Sequence, residues 1–223
     1  MRNALLALLA ALLLAAPCRA QTGALPPEEP GLPPGYVRLA SAQSDSVLAV
    51  LRGYLDAIHR HDGAAATQAV TRGTRAYYAQ MRDLALTAPE AKVRSLPLMD
   101  RLSVLMYRHR VAPEVLRTLT GDAAFAHTIS DGWVDRTARQ GSFPTLEVYA
   151  NGDQALLRDG ALQIRMVRED GAWRWDMMPM IRSASAEFAG SIPAGMKEDE
   201  FIFLVLSNSN GLPVSPSVWQ PVQ

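Results

Sequence analysis

The stretch LDAIHRHDG, residues 55–63, brings two histidines and two aspartates within nine positions, residue types suited to a metal site or to acid–base catalysis. On a helix His59 and His61 stand about 200° apart, so they cannot converge on one ion as histidines at i and i+4 do. Cys18 is the sole cysteine and cannot complete a thiolate site, so neither a metal nor another cofactor is expected. Near a helix C-terminus the two histidines are also welcome simply as positive charges.

Asp62 is the sharper candidate. It falls at the centre of the stripe formed by Leu51, Leu55 and Ile58. An acid on an apolar face must cap a helix, pair with a cation or line a cavity. The first reading makes it the cap of a helix opening at DGAAA. The last makes it a general base, with Tyr54 donating to developing negative charge and His59 beside them. No serine sits in a nucleophile-elbow motif and no glycine-rich phosphate loop is present.

A second group lies in LQIRMVREDGAWRWDMM. If Asp170-Gly171 is a two-residue turn, counting outward sets Glu169 opposite Ala172, Arg168 opposite Trp173, Met166 opposite Trp175 and Arg165 opposite Asp176. One face then carries Leu162, Ile164, Met166, Trp175 and Met177, a core or a pocket wall. Met166, Trp175 and Met177 are the residues that would meet an apolar ligand. The other face carries Gln163, Arg165, Arg174 and Asp176. An exposed Arg165–Asp176 pair there contributes roughly 0.2–1 kcal/mol.

The elements that must position these residues follow from periodicity. Val47, Leu51, Tyr54, Leu55 and Ile58 share a helical stripe, predicting a helix from about residue 45 to 62 with Gly63 as its stop. Helical pattern continues over 64–86, broken near 71–73. Pro89 and the polar residues after it predict a loop, Met99, Leu102, Leu105 and Met106 a further helix, and APEVLRTLTG a short one starting at Pro113 and ending at Gly121. After SDGW the period falls to two, and Asn151-Gly152, Asp159-Gly160 and Asp170-Gly171 divide residues 145–178 into four antiparallel strands. KEDEFIFLVLSNSNG predicts a last helix, with acids at its dipole-positive start, although FIFLVL suits a strand equally. Helices followed by a meander make an α+β fold.

At the level of the whole chain, residues 1–20 read as a secretory signal: Arg2, an apolar run of 13 residues from Ala4 to Ala16, then small residues before Gln21. A span would need roughly 20 apolar residues, so no membrane-crossing segment is expected. Pro17 before Cys18 suits ordinary cleavage better than lipidation. Cleavage would remove Arg2 and Arg19, leaving 20 basic against 22 acidic residues from the original 22 of each, a charge of −2. That gives no electrostatic reason to expect nucleic acid as a partner. Residues 21–40 hold five prolines and three glycines and read as a spacer, leaving 41–223 as one domain with a C-terminal extension.

YLDAIHRHDGAAATQAV, followed much later by LQIRMVREDGAWRWDMM, resembles the NTF2-like superfamily, which includes ketosteroid-isomerase-like and SnoaL-type proteins. The resemblance covers about residues 44–180. It implies a cone of N-terminal helices packed on a bent antiparallel sheet, its mouth often a pocket, to which this chain adds an extra helical segment in the middle and a C-terminal helix. Members include isomerases, dehydratases, epoxide hydrolases and many that only bind or dimerise. Residues 87–144 depart from the compact pattern, so no member's catalytic set can be carried over residue by residue. The expectation is a periplasmic or secreted protein that binds a protein partner or a small apolar ligand without catalysis, as a homodimer through the exposed sheet face. The alternative is a periplasmic acid–base enzyme acting on a small hydrophobic molecule through Asp62, Tyr54 and His59. A third reading, from the spacer, is a structural accessory of the cell envelope.

Overall fold

The computed structural model describes residues 32–133, 146–159 and 162–222. The expected signal with Cys18, residues 21–31 of the spacer, residues 134–144 of the extra segment, Thr145 of the first predicted strand and Gly160 of one predicted turn lie outside the described residues.

The described residues form an α+β fold of nine helices and a five-stranded antiparallel sheet. After strand β1 (Val37–Arg38) come seven helices: α1 (Ser41–Arg60), α2 (Gly63–Ala69), α3 (Arg72–Thr87), α4 (Glu90–Arg94), α5 (Leu98–Arg110), α6 (Pro113–Thr118) and α7 (Asp122–Ser130). The meander follows as β2 (Glu147–Asn151), β3 (Gln154–Asp159), β4 (Leu162–Glu169) and β5 (Ala172–Asp176). Helices α8 (Met178–Gly190) and α9 (Glu198–Asn210) and a 3₁₀ turn (Pro216–Trp219) complete it.

Strand order is sequential, and the pairs between β4 and β5 expected from the Asp170-Gly171 turn are present from Glu169–Ala172 to Arg165–Asp176, but the next pair the count gives, Ile164–Met177, is not, because β5 ends at Asp176 and the chain turns into a helix. Asp170 (φ 53°) and Gly171 (φ 79°) are both left-handed, the geometry that matches the right-handed twist of flanking strands. Both sheet edges are blunted. Val37 pairs with Ala150 in a strand only two residues long, and on β5 the Thr71 amide donates to the Trp175 carbonyl at 3.0 Å. The spacer thus ends earlier than its composition indicated, because residues 37–39 satisfy backbone groups of β2.

Two hydrophobic cores result. One lies between the sheet's inner face and α1 and α2: Val47, Leu51, Tyr54, Ile58, Val148, Leu157, Ile164, Met166 and Trp175, with Phe125 and Ile129 of α7. The other is helical throughout and joins Met81, Ala85, Val93, Leu102, Leu105, Tyr107 and Leu116 to Phe188, Phe201, Ile202 and Leu206. Helices α3 and α7 stitch them together. Tyr78 packs on the sheet core and Met81 in the helical one, while Phe125 faces the first and Ala124 the second. Helices α4, α5 and α6 of the middle segment therefore share the helical core with α3 and the C-terminal helices, while α7 also reaches the sheet core.

Several boundaries differ from those expected. Gly63 does not stop α1; His61 does, in the left-handed region at φ 55°, and Gly63 opens α2. Glycine is needed there because a Cβ would overlap the Ala126 carbonyl oxygen of α7. The expected loop after Pro89 holds α4, whose Val93 is fully buried. Gly121 precedes α7 rather than closing α6, which ends at Thr118. FIFLVL is helical, its apolar run flanked by acids at the start and by Gly211 (φ 75°) at the end.

Candidate functional site

Asp62 ends the link between α1 and α2, and its Oδ1 accepts the Ala65 amide at 2.9 Å, an N-cap bond that satisfies one orphan donor of α2. Its Oδ2 stands 3.7 Å from the Arg60 guanidinium, and the side chain is 40% exposed. Both carboxylate oxygens are engaged at the surface. Tyr54 points the other way: it is 3% exposed, and its ring meets Trp175 edge-on at 4.9 Å. Burial first, and the neighbouring Tyr78 second, push its phenol far above the usual tyrosine range, so it is a neutral hydroxyl at any physiological pH. His59 is exposed, about 140° around α1 from Tyr54. The structure does not bring the three together around one cavity.

Met166 and Trp175 pair across β4 and β5 as the register required, Met177 follows β5 as the N-cap of α8, and at 0%, 4% and 3% exposure all three are packed core. Beside them a buried threonine pair ties the sheet to α3. Thr71 Oγ1 caps Thr74 N at 3.2 Å, and Thr74 Oγ1 accepts the Met177 amide at 3.1 Å. On the outer face Arg165 and Asp176 approach to 3.6 Å, yet the Asp176 side chain is only 16% exposed and its Oδ1 accepts the Met178 amide at 3.1 Å. Asp176, one position before the N-cap Met177, thus holds the first amide of α8 as well as being an ion-pair partner.

A site not foreseen lies at the far end of the helical core. Arg108, in the last turn of α5, donates to five backbone carbonyls. Nε meets Ala85 at 2.8 Å, and Nη2 meets Leu84 at 3.2 Å and Ala88 at 2.5 Å, all at the C-terminus of α3. Nη1 meets Val218 at 3.3 Å and Trp219 at 2.6 Å. Burial draws its pKa down to about 10, and it remains a cation at neutral pH, facing the negative ends of a helix and of the 3₁₀ turn. Arg94 stacks over the Trp219 ring at 3.9 Å and pairs with Glu90 and Asp199. Gln220 Nε2 donates to Glu90 at 3.0 Å. Two surface pockets flank this segment. One, of about 440 Å³, is lined by Arg94, Asp199, Glu200, Phe203 and Trp219 among others. The other, of about 550 Å³, lies between Arg108, His109 and Pro113 on one side and Leu212, Pro213 and Val222 on the other. The signal for this site was in the sequence, because Arg108 falls on the stripe of Leu105, where an unpaired charge demands acceptors.

Among the described residues, no group of three or more His, Cys, Asp or Glu has a metal-holding arrangement, and no helix is long and apolar enough to cross a membrane. No family model, no curated protein and no solved structure matches the chain.

Proposed function

We propose that this is an exported α+β protein of NTF2-like type that works by binding a protein partner and performs no catalysis at the α1–β5 site. The observation that carries the reading is the fate of the Asp62, Tyr54 and His59 set. Tyr54 is sealed against Trp175, Asp62 is held on the Ala65 amide, and His59 lies on the outside of α1. A general base and its electrophile must reach the same substrate atoms. The tight packing of Met166, Trp175 and Met177 likewise favours a protein partner over a small apolar ligand. In this reading residues 1–20 direct export to the periplasm or beyond.

Native mass spectrometry of residues 21–223 purified from a periplasm tests it. A second polypeptide on the chain, this protein or another, is the expected result. A stoichiometric small-molecule adduct on a chain with no polypeptide partner would overturn it in favour of an open pocket.

A further inference from the structure

The C-terminal segment after α9 is attached to the fold in an unusual way. It leaves at Gly211, in the left-handed region at φ 75°, and backbone hydrogen bonds such as Val218 to Ser215 and Gln220 to Ser217 are local to it. Its hold on the rest of the molecule comes from side chains of the main body. Arg108 grips the carbonyls of Val218 and Trp219, while the Trp219 ring meets Arg94 at 3.9 Å and Phe203 at 6.2 Å and 29° between planes. Val218 and Trp219 are 6% and 5% exposed, whereas Leu212 is 58% exposed. Val214 and Val222 touch the helical core at its margin and Gln220 bonds Glu90 at 3.0 Å, but the deepest anchors are Val218 and Trp219, with surface clefts of about 440 and 550 Å³ on either side.

These are the properties of a bound peptide. Its two anchor side chains fill an apolar slot, its carbonyls are read by a guanidinium irrespective of sequence, and an exposed cation–π contact closes the aromatic side. We propose that the slot between α3, α4, α5 and α9 is a peptide-recognition groove for segments of the Pro-x-Val-Trp kind, and that the chain's own residues 212–222 are its resident ligand, displaceable by such a segment presented by a partner polypeptide. The inference rests on the partner-binding reading and gives it a surface. Arg108 is the selective element: it demands two free carbonyls at and before the tryptophan, which a continuous helix does not present. The acids Glu90, Asp199 and Glu200 at the rim favour an incoming segment without negative charge near its tryptophan.

The test uses the full chain carrying Trp219→Ala, in which the resident segment has lost its anchor, and a fluorescein-labelled peptide of residues 212–223 as probe. Fluorescence polarisation is expected to show saturable binding to the W219A chain, at least tenfold weaker binding to the wild type, whose own segment competes, and none for the same peptide with its tryptophan replaced by alanine. Adding Arg108→Lys to the W219A chain should weaken the peptide at least tenfold. If W219A does not fold, a site-specific protease sequence placed after Gly211 is cut in the folded wild-type chain, and exchange of the released segment for the labelled peptide is followed instead. Absence of saturable binding in a chain whose circular dichroism stays native overturns the groove. If the same preparation still carries a polypeptide partner by native mass spectrometry, only the groove falls and the partner-binding reading stands.

Discussion

Replacing Asp62 by alanine removes the cap of α2 and leaves the Ala65 amide without its acceptor, which costs about 1 kcal/mol. Asparagine caps as well as aspartate, so Asp62→Asn should unfold within a few tenths of a kcal/mol of the wild type in urea titration. A stability loss for Asn as large as that for Ala would mean that the charge, not the cap, is what Asp62 supplies. Asp176 gives a parallel case with a different outcome from the one its pairing alone implies. An exposed pair with Arg165 would contribute roughly 0.2–1 kcal/mol. The structure adds the Met178 amide and a side chain only 16% exposed, so Asp176→Ala should cost about 1–2 kcal/mol, with Asp176→Asn recovering about half. Thermal unfolding of the three chains checks this. Asp176 was legible as a partner of Arg165 because strand register is a counting problem. Its second role was not, because nothing before Met178 signals that a helix begins there.

Elements announced by period and punctuation were readable: α1 by its apolar stripe, the meander by its Asn-Gly and Asp-Gly pairs, α9 by its acids and Gly211. Those missed have little periodicity to show. Helix α7 is nine residues long, and α8 buries only Ala184 and Phe188 among serines and alanines. Their helicity comes from tertiary packing rather than from an amphipathic pattern, the usual source of stability for short helices. Gly63 illustrates the same limit, since a glycine after His-Asp reads as a stop and only the approach of α7 reveals its purpose. Two substitutions separate these roles. Gly53, mid-α1, has open space where a Cβ would go, so Gly53→Ala should stabilise by about 0.5–1 kcal/mol. Gly63→Ala gains similar propensity but drives its methyl into the Ala126 carbonyl, an overpacking cost of about 1–3 kcal/mol or more, so the sign reverses. Midpoints of chemical unfolding for the two variants should move in opposite directions.

Whether the two cores behave as one molecule can be read from four tyrosines. Tyr54 and Tyr78 pack in or against the sheet core, and Tyr77 and Tyr107 in or against the helical one. Burial is the first cause that raises all four phenols, Tyr78 to about 12 and the others beyond it, from an ordinary value of 10. The folded state therefore keeps protons that the unfolded state surrenders. Stability is fully present below pH 10 and is lost as pH rises from there toward the folded-state values. Each such tyrosine lowers stability by about 1.4 kcal/mol per pH unit, and four together by about 5–6, enough to exhaust a stability of roughly 5–15 kcal/mol within a few units. Helices α3 and α7 contribute side chains to both cores, so one cannot dissolve while the other keeps its packing. In a chain carrying Tyr36→Phe and Tyr149→Phe, so that these four are the tyrosines left, phenolate absorbance and far-ultraviolet circular dichroism should then rise and fall in a single coincident transition above pH 10. Two separated steps, each releasing about half of the phenolate signal, would show instead that the sheet half and the helical half are independent folding units, and that Tyr78, Met81, Ala124 and Phe125 touch both cores without coupling them.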